Sequence, residues 1–337
     1  VKIAFFSAHG FEKDRFTYEA QSFGHEIIFF ESSLNERTAN LAQGYVSVCA
    51  FVNDDLSQAT LRVLANGGTR LIALRSAGFN HVDLESAQEL GLRVVRVPEY
   101  SPHAVAEHVI ALILSLNRKI HRAYARVREG NFSLEGLVGF DLYQKTVGIV
   151  GTGKIGSVLA KILTGFGCRV LAHDPVQNPV LIELGVKYVD LQEILKKSRI
   201  ISLHVPLTQE TRHLIDAHAL SLTQPGFMLI NTSRGALVET QALIDALKSK
   251  HVGYAGLDVY EEEEGVFFEN LSEQIILDDT LARLLTFPNV LLTSHQAFLT
   301  DEALLSIART TLQSVTEFGA GHRLTHEISW QGFVRRV

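Results

Sequence analysis

Three spaced glycines stand where a short apolar run gives way to a helical pattern, in Val147-Gly148-Ile149-Val150-Gly151-Thr152-Gly153-Lys154-Ile155-Gly156. Val158, Leu159, Ile162 and Leu163 then recur at helical spacing. Gly151 permits a tight turn, Gly153 lets backbone approach a pyrophosphate, and Gly156 lets the helix sit close to its strand. The helix start offers unpaired N–H groups and the positive end of its dipole to phosphates. The next apolar run, Arg169 to His173, ends on Asp174, eighteen residues past the last glycine. An acid there suits the adenosine ribose hydroxyls. Glycines also mark ordinary loops, so the spacing alone is weak; set between strand and helix with the acid at this distance, it predicts a dinucleotide site.

A chain of 337 residues is long enough for two domains, and 46% hydrophobic residues suffice for sizeable cores. The net charge of −6 is dispersed, which argues against a nucleic-acid or membrane-surface binder. Cys49 and Cys168 have no metal-ligand spacing and form no disulfide framework, and read as small apolar residues. No metal site is expected. The longest apolar runs, such as 109–114, fall short of the ~18 residues that span a bilayer. Val1 to Phe6 reads as a strand and shows no signal-peptide pattern. The expectation is a soluble cytoplasmic protein.

The first hundred residues alternate helical patterns with apolar runs at Ile3–Phe6, Glu26–Phe30, Tyr45–Val48, Leu71–Leu74 and Arg93–Val97, which implies βαβ units and a parallel sheet. Arg75-Ser76-Ala77-Gly78-Phe79-Asn80 follows one of these strands. Taken alone it reads as an ordinary βα connection, although open sheets also place ligands at strand C-terminal ends. Pro98-Glu99-Tyr100-Ser101-Pro102 marks a hinge, with Ser101 as N-cap and Pro102 in the first turn of a long helix. Its stripe of Val105, Val109, Leu112, Ile113, Leu116 and Ile120 suits an interdomain joint or a subunit interface, with Arg118, Lys119, Arg122 and Arg126 toward its end.

A second α/β unit follows over 145–295. Its apolar runs end in polar groups: Ile200–Val205 before Pro206, Phe227–Ile230 before Asn231-Thr232-Ser233-Arg234-Gly235, Val252–Leu257 before Asp258, and Val290–Leu292 before Thr293-Ser294-His295. That edge is the crevice side of a doubly wound sheet. A helix opening at Thr300 then carries the chain back to the first domain. Arg234, a glutamate from the run 261–264 and His295 each have a bland reading: a surface charge, a solvated face, a structural histidine. Together they supply what reduction of a 2-keto acid needs. A guanidinium pairs with the carboxylate and polarises the carbonyl. An imidazolium hands over a proton. A carboxylate behind an imidazole orients it and favours its charged form.

The chain resembles the D-isomer-specific 2-hydroxyacid dehydrogenase family over nearly its whole length. The resemblance rests on Gly151-Thr-Gly-Lys-Ile-Gly156, Asn231-Thr-Ser-Arg-Gly-Ala-Leu237, Gly256-Leu-Asp-Val-Tyr-Glu261 and Ser294-His-Gln-Ala-Phe298. It implies a Rossmann NAD-binding domain over 101–298 and a flavodoxin-like substrate domain from 1–100 plus 299–337. Both are doubly wound parallel sheets with a cleft between them, closing about the segments near Tyr100 and Phe298. It also implies that Arg234 binds substrate, that His295 donates the proton in reduction, and that Glu263, five residues past Asp258, is the acid partner.

For NAD, the resemblance places Lys154 and Ile155 along the pyrophosphate with Gly151, Gly153 and Gly156, and Asp174 on the ribose. Val205, Pro206 and Thr211 flank the adenosine end. Thr232 and Ser233 line the nicotinamide side, with Asp258 toward the carboxamide. Ser76, Ala77 and Gly78 cradle the substrate carboxylate, and Tyr100 and Phe298 close the pocket around a small methyl group. An inserted segment, Glu264 to Leu285, and Tyr100 in the hinge resemble the members that act on pyruvate and D-lactate. Bulkier 2-keto acids such as phenylpyruvate or 2-ketoisocaproate are the alternative, and an NADH-sensing binding protein is a third reading. Asp174 followed by Pro175-Val176-Gln177 favours NAD over NADP. The helix from Ser101 is the candidate surface of a homodimer or a dimer of dimers. The tail from Ile328 to Val337 matches no expected pattern.

Overall fold

Apolar runs of a few residues become parallel strands in both units of the computed structural model, which describes residues 1–263 and 266–330. One unit comprises residues 1–101 with those from 299 onward, the other residues 102–298.

In the first unit, β1 (Lys2–Phe5), β2 (Glu26–Phe29), β3 (Ser47–Ala50), β4 (Leu71–Leu74) and β5 (Arg93–Val95) pair in the order β5-β4-β3-β1-β2. The short strand Glu327–Ile328 adds antiparallel to β5. This is the flavodoxin-like order. β3 and β4 are buried at every residue, as central parallel strands covered on both faces must be. The run expected at Tyr45–Val48 is shifted, because pairing with β1 begins at Ser47. Thr300 caps the returning helix Asp301–Gly319, its hydroxyl accepting from the Ala303 N–H at 3.2 Å, and Asp301 and Glu302 complement the dipole. Ala303, Ile307, Ala308, Leu312 and Val315 form its buried face, which packs near β4 and the helix Gly10–Phe23.

The second unit has β6 (Thr146–Val150), β7 (Arg169–His173), β8 (Lys187–Tyr188), β9 (Ile200–Leu203), β10 (Phe227–Asn231), β11 (Val252–Leu257) and β12 (Val290–Leu292). Their order is β8-β7-β6-β9-β10-β11-β12, all parallel, so the strand order reverses beside β6 and β9. That switch point is where a doubly wound sheet opens a crevice at its carboxyl edge.

The long helix expected from Ser101 is two helices. Pro102–Arg118 ends at Lys119, whose φ of 55° breaks the ladder before Ile120–Arg128 begins. The Lys119 ammonium donates to the Val138 carbonyl and lies 5.6 Å from the centre of the Tyr254 ring. Asn117 then pins the returning chain: its amide donates to the Phe140 carbonyl at 2.6 Å and its oxygen accepts the Phe140 N–H at 2.8 Å. Val109, Leu112, Ile113 and Leu116 are buried in this unit's own core, and Val105 is buried as well. At roughly 1.5–3 kcal/mol per buried side chain, that stripe is committed to folding the unit. It is therefore not the subunit surface expected of it, and Ile120 lies outside it, exposed.

Candidate active site

The Gly151 loop joins β6 to the helix Lys154–Gly165. Gly151 has φ 96°, and a Cβ there would lie 2.5 Å from the His204 carbonyl oxygen. A Cβ at Gly156 would lie 2.0 Å from the Gly151 oxygen, so neither position tolerates a side chain. Around Gly153, by contrast, a Cβ would meet nothing within 4 Å, which leaves the loop open for a ligand's close approach. Asp174, past the end of β7, braces the loop by accepting the Thr152 N–H at 2.6 Å, and its other oxygen accepts the Val176 N–H at 2.8 Å. Lys154 and Ile155 open the helix. Val205 and Pro206 follow β9, where Thr211 donates to the Pro206 carbonyl at 2.6 Å. Thr232 follows β10, and its buried hydroxyl has no hydrogen-bond partner. An orphaned hydroxyl and a bare glycine loop, both at the carboxyl edge of this sheet, fit a polar ligand such as a dinucleotide.

β10, β11 and β12 then deliver the three charged groups to one edge. Asp258 N–H donates to the Asn231 carbonyl at 2.9 Å, and His295 N–H donates to the Asp258 carbonyl at 2.7 Å. The three loops are thus tied in series. Asn231 also holds the turn that carries Arg234: its amide donates to the Arg234 carbonyl at 2.8 Å and its oxygen accepts the Ser233 N–H at 3.1 Å. Ser233 hydroxyl donates to the Leu203 carbonyl at 2.7 Å. The Arg234 guanidinium donates to the Ser233 carbonyl at 2.6 Å and forms no ion pair among the described residues, so most of its donors remain available. Gly235 lets this turn meet the next one, since a Cβ would lie 2.0 Å from the Tyr260 carbonyl carbon.

The glutamate run separates by partner. Glu263 Oε1 meets His295 Nδ1 at 2.8 Å, while Oε2 accepts the Tyr260 N–H at 3.1 Å. Glu261 serves His213 at 2.6 Å and the Thr240 hydroxyl at 2.9 Å, and Glu262 is exposed. Glu264 lies outside the described residues. With Nδ1 committed, His295 Nε2 is the nitrogen left to face a reactant. His295 is held at φ 54°.

Asp258, expected toward the carboxamide, is held by several groups of the chain itself. Its carboxylate is fully buried and accepts the Thr293 hydroxyl at 2.6 Å and the N–H groups of Gln296 and Ala297 at 2.9 and 2.8 Å, with His108 at 3.4 Å. Burial would raise its pKa, but the bonds from His108, Thr293 and Ala297 outweigh that and hold it below the ordinary carboxylate range. This clamp folds the loop that presents His295.

Sequence reasoning missed Phe268, whose ring centre lies 6.0 Å from that of His295. It stands in the inserted segment, of which residues 264 and 265 lie outside the described residues. Beyond residue 330 the C-terminal tail also lies outside them.

Ser76, Ala77, Gly78 and Tyr100 belong to the first unit, Phe298 to the second. Ser76 hydroxyl donates to the Gly78 carbonyl at 2.8 Å and Arg96 donates to the Ala77 carbonyl at 2.6 Å, which fixes the loop after β4. Among the described residues the N–H groups of Ala77 and Gly78 have no acceptor.

The NAD-binding domain of D-isomer-specific 2-hydroxyacid dehydrogenases, as a family pattern, matches residues 110–297. The chain is 53% identical over 321 residues to 2-hydroxyacid dehydrogenase homolog 1 of Schizosaccharomyces pombe, covering 95% of this chain and 97% of that one. It is 51% identical over 328 residues to the D-lactate dehydrogenase of Escherichia coli, covering 97% of this chain and all of the other. The structure of the pyruvate reductase of Chlamydomonas reinhardtii superposes with a TM-score of 0.93 at 44% identity, covering 96% of this chain and 98% of that one.

Proposed function

The chain belongs to the D-isomer-specific 2-hydroxyacid dehydrogenase family and takes NAD, and from that premise we propose that it is a D-lactate dehydrogenase, reversibly reducing pyruvate to D-lactate. The observation that carries the chemistry is the 2.8 Å contact of Glu263 with His295 Nδ1, which leaves Nε2 to act. NADH, when bound, supplies the hydride that adds to the substrate's carbonyl carbon.

The chain's own groups do the rest. Arg234 pairs with the substrate carboxylate and draws charge toward the carbonyl oxygen. His295 Nε2 gives that oxygen its proton, and Glu263 holds the ring's orientation and favours the imidazolium that donates. In lactate oxidation the same nitrogen takes the proton back. The N–H groups of Ala77 and Gly78, without an acceptor among the described residues, also donate to the carboxylate. Tyr100 and Phe298 confine the methyl group. Gly151, Gly153, Gly156, Lys154, Ile155, Asp174, Val205, Pro206, Thr211, Thr232 and Ser233 hold the cofactor, with Asp258 positioning the His295 loop.

Two copies associate through the helix Ile120–Arg128 and the chain after it, where Ile120, Tyr124, Phe132, Leu134 and Val138 are all more than half exposed. The cytoplasm, which supplies NADH and keeps Cys49 and Cys168 reduced, is the compartment.

A screen of pyruvate, 2-ketoisocaproate and phenylpyruvate with NADH and NADPH tests the reading. The expected result is the highest kcat/KM for pyruvate with NADH and a D-configured product. A preference for either bulkier acid would move the assignment elsewhere in the family.

A further inference from the structure

At the amino ends of β9 to β12, the edge opposite the Gly151 loop, a cavity of about 360 Å³ is lined by Lys119, His121, Arg122 and Arg199 and by no carboxylate. The chain carries net negative charge, so this concentration of uncompensated cations is conspicuous. Arg199 precedes β9, and among the described residues its guanidinium forms neither hydrogen bond nor ion pair; it stacks on the Phe140 ring at 5.0 Å. At Gly226 in the wall, an added Cβ would lie 3.2 Å from Arg199 Nη1, so the glycine leaves that edge of the guanidinium uncovered. Arg122 likewise has no partner among the described residues. Lys119 has only the Val138 carbonyl and the Tyr254 ring. The Nδ1 of His121 is buried with no hydrogen-bond partner. Burial is the main cause that holds the His121 pKa below its ordinary value; a backbone bond at Ser115 opposes it and the Arg122 charge adds to it.

We propose that this cavity binds a small multiply charged oxyanion of the phosphate class, such as a pyrophosphate or phosphate ester. Arginine forks match the oxygens of such a group, and three fixed positive charges call for more than one negative charge. The site is distinct from the cofactor loop: Arg199 and His204 flank opposite ends of β9, about 16 Å apart at ~3.3 Å per residue.

The test is calorimetric titration of NADH-saturated protein with inorganic pyrophosphate at constant ionic strength, so that the cofactor's own phosphate site is filled. One pyrophosphate should bind per chain, and Arg199→Gln or Arg122→Gln should each weaken it about tenfold while leaving NADH affinity unchanged. Malonate should bind more weakly. Heats no larger than those from sodium chloride, or undiminished affinity in both variants, would overturn the proposal. Equal affinity for malonate would remove the phosphate assignment. Variants that dissociate the dimer without changing pyrophosphate binding would show that the cations face a second copy instead, and that too would overturn it.

Discussion

Glu263 and His295 stand thirty-two residues apart in the chain and meet at 2.8 Å, carboxylate oxygen to Nδ1. The contact selects the imidazole's orientation, and the Asp258 clamp on the following backbone holds the loop in which the ring sits. His295→Ala should lower kcat/KM for pyruvate by about 10²–10⁴, the usual contribution of a positioned acid, with NADH affinity kept within about twofold. Glu263→Gln, which retains the shape, should cost less, about tenfold, and act on kcat. Stopped-flow turnover and NADH fluorescence separate the two effects; near-normal turnover in His295→Ala would end the assignment.

Arg234 reaches the site from a turn that the Asn231 amide and the Ser233 hydroxyl tie down, while among the described residues its guanidinium has one carbonyl acceptor. Arg234→Lys keeps the charge and loses the planar fork. Its KM for pyruvate should rise and its kcat fall, and Arg234→Ala should lose about 10²–10³ in kcat/KM. If lysine restored full activity, charge alone would suffice and the bidentate role would be discarded.

Why some of this was legible in the chain and some was not follows from the range of the forces involved. The strands of the second unit announce themselves because a parallel strand covered on both faces must be continuously apolar, and each run stops where a polar turn begins. The Gly151 turn is readable because a positive φ and a close helix leave glycine little competition. The break at Lys119 is not readable. The apolar spacing continues to Ile120, and what stops the helix is a carbonyl and a ring brought from residues 138 and 254. Four adjacent glutamates are equivalent on paper and become distinct only when His213 and His295 each choose one. The clamp on Asp258 is equally unreadable, because its four partners come from two other segments.

Arg75 is the strongest case of such a long-range choice. It follows β4 at the head of the loop proposed to bind substrate, yet its side chain has no exposed surface. Glu12 takes it in a two-pronged pair at 2.9 and 3.0 Å, the carbonyls of Phe6 and Ser7 accept at 2.8 Å, and the Phe5 and Phe51 rings lie 4.1 and 4.7 Å away. Glu12→Ala would leave a buried guanidinium without its anion and should destabilise the chain by about 3–5 kcal/mol. Arg75→Met combined with Glu12→Leu should recover most of that loss, because the unpaired charge goes with the pair. Urea unfolding of the full chain reads both. A single-variant loss below ~1 kcal/mol would mean that the carbonyls alone satisfy Arg75.

His204 gives the chain a titration in the mildly acidic range. Its ring bonds Ser202 hydroxyl through Nε2 at 2.8 Å, its Nδ1 is buried without a partner, and burial pushes its pKa down to about 4 from 6.5. The folded state therefore keeps the ring neutral over a span in which the unfolded chain already binds a proton. Stability from this group is intact above the unfolded value, falls as the pH drops from 6.5 toward 4, and changes no further below that. The full loss is at most roughly 3 kcal/mol, less to the extent that solvent reaches the ring. The His204 carbonyl oxygen lies where a Cβ at Gly151 would reach within 2.5 Å of it, so this histidine sits next to the Gly151 turn. His204→Gln cannot titrate, and its unfolding free energy should stay nearly flat between about pH 7 and 5, where the parent declines. Parallel slopes for the two proteins over that interval would place the acid sensitivity in another group.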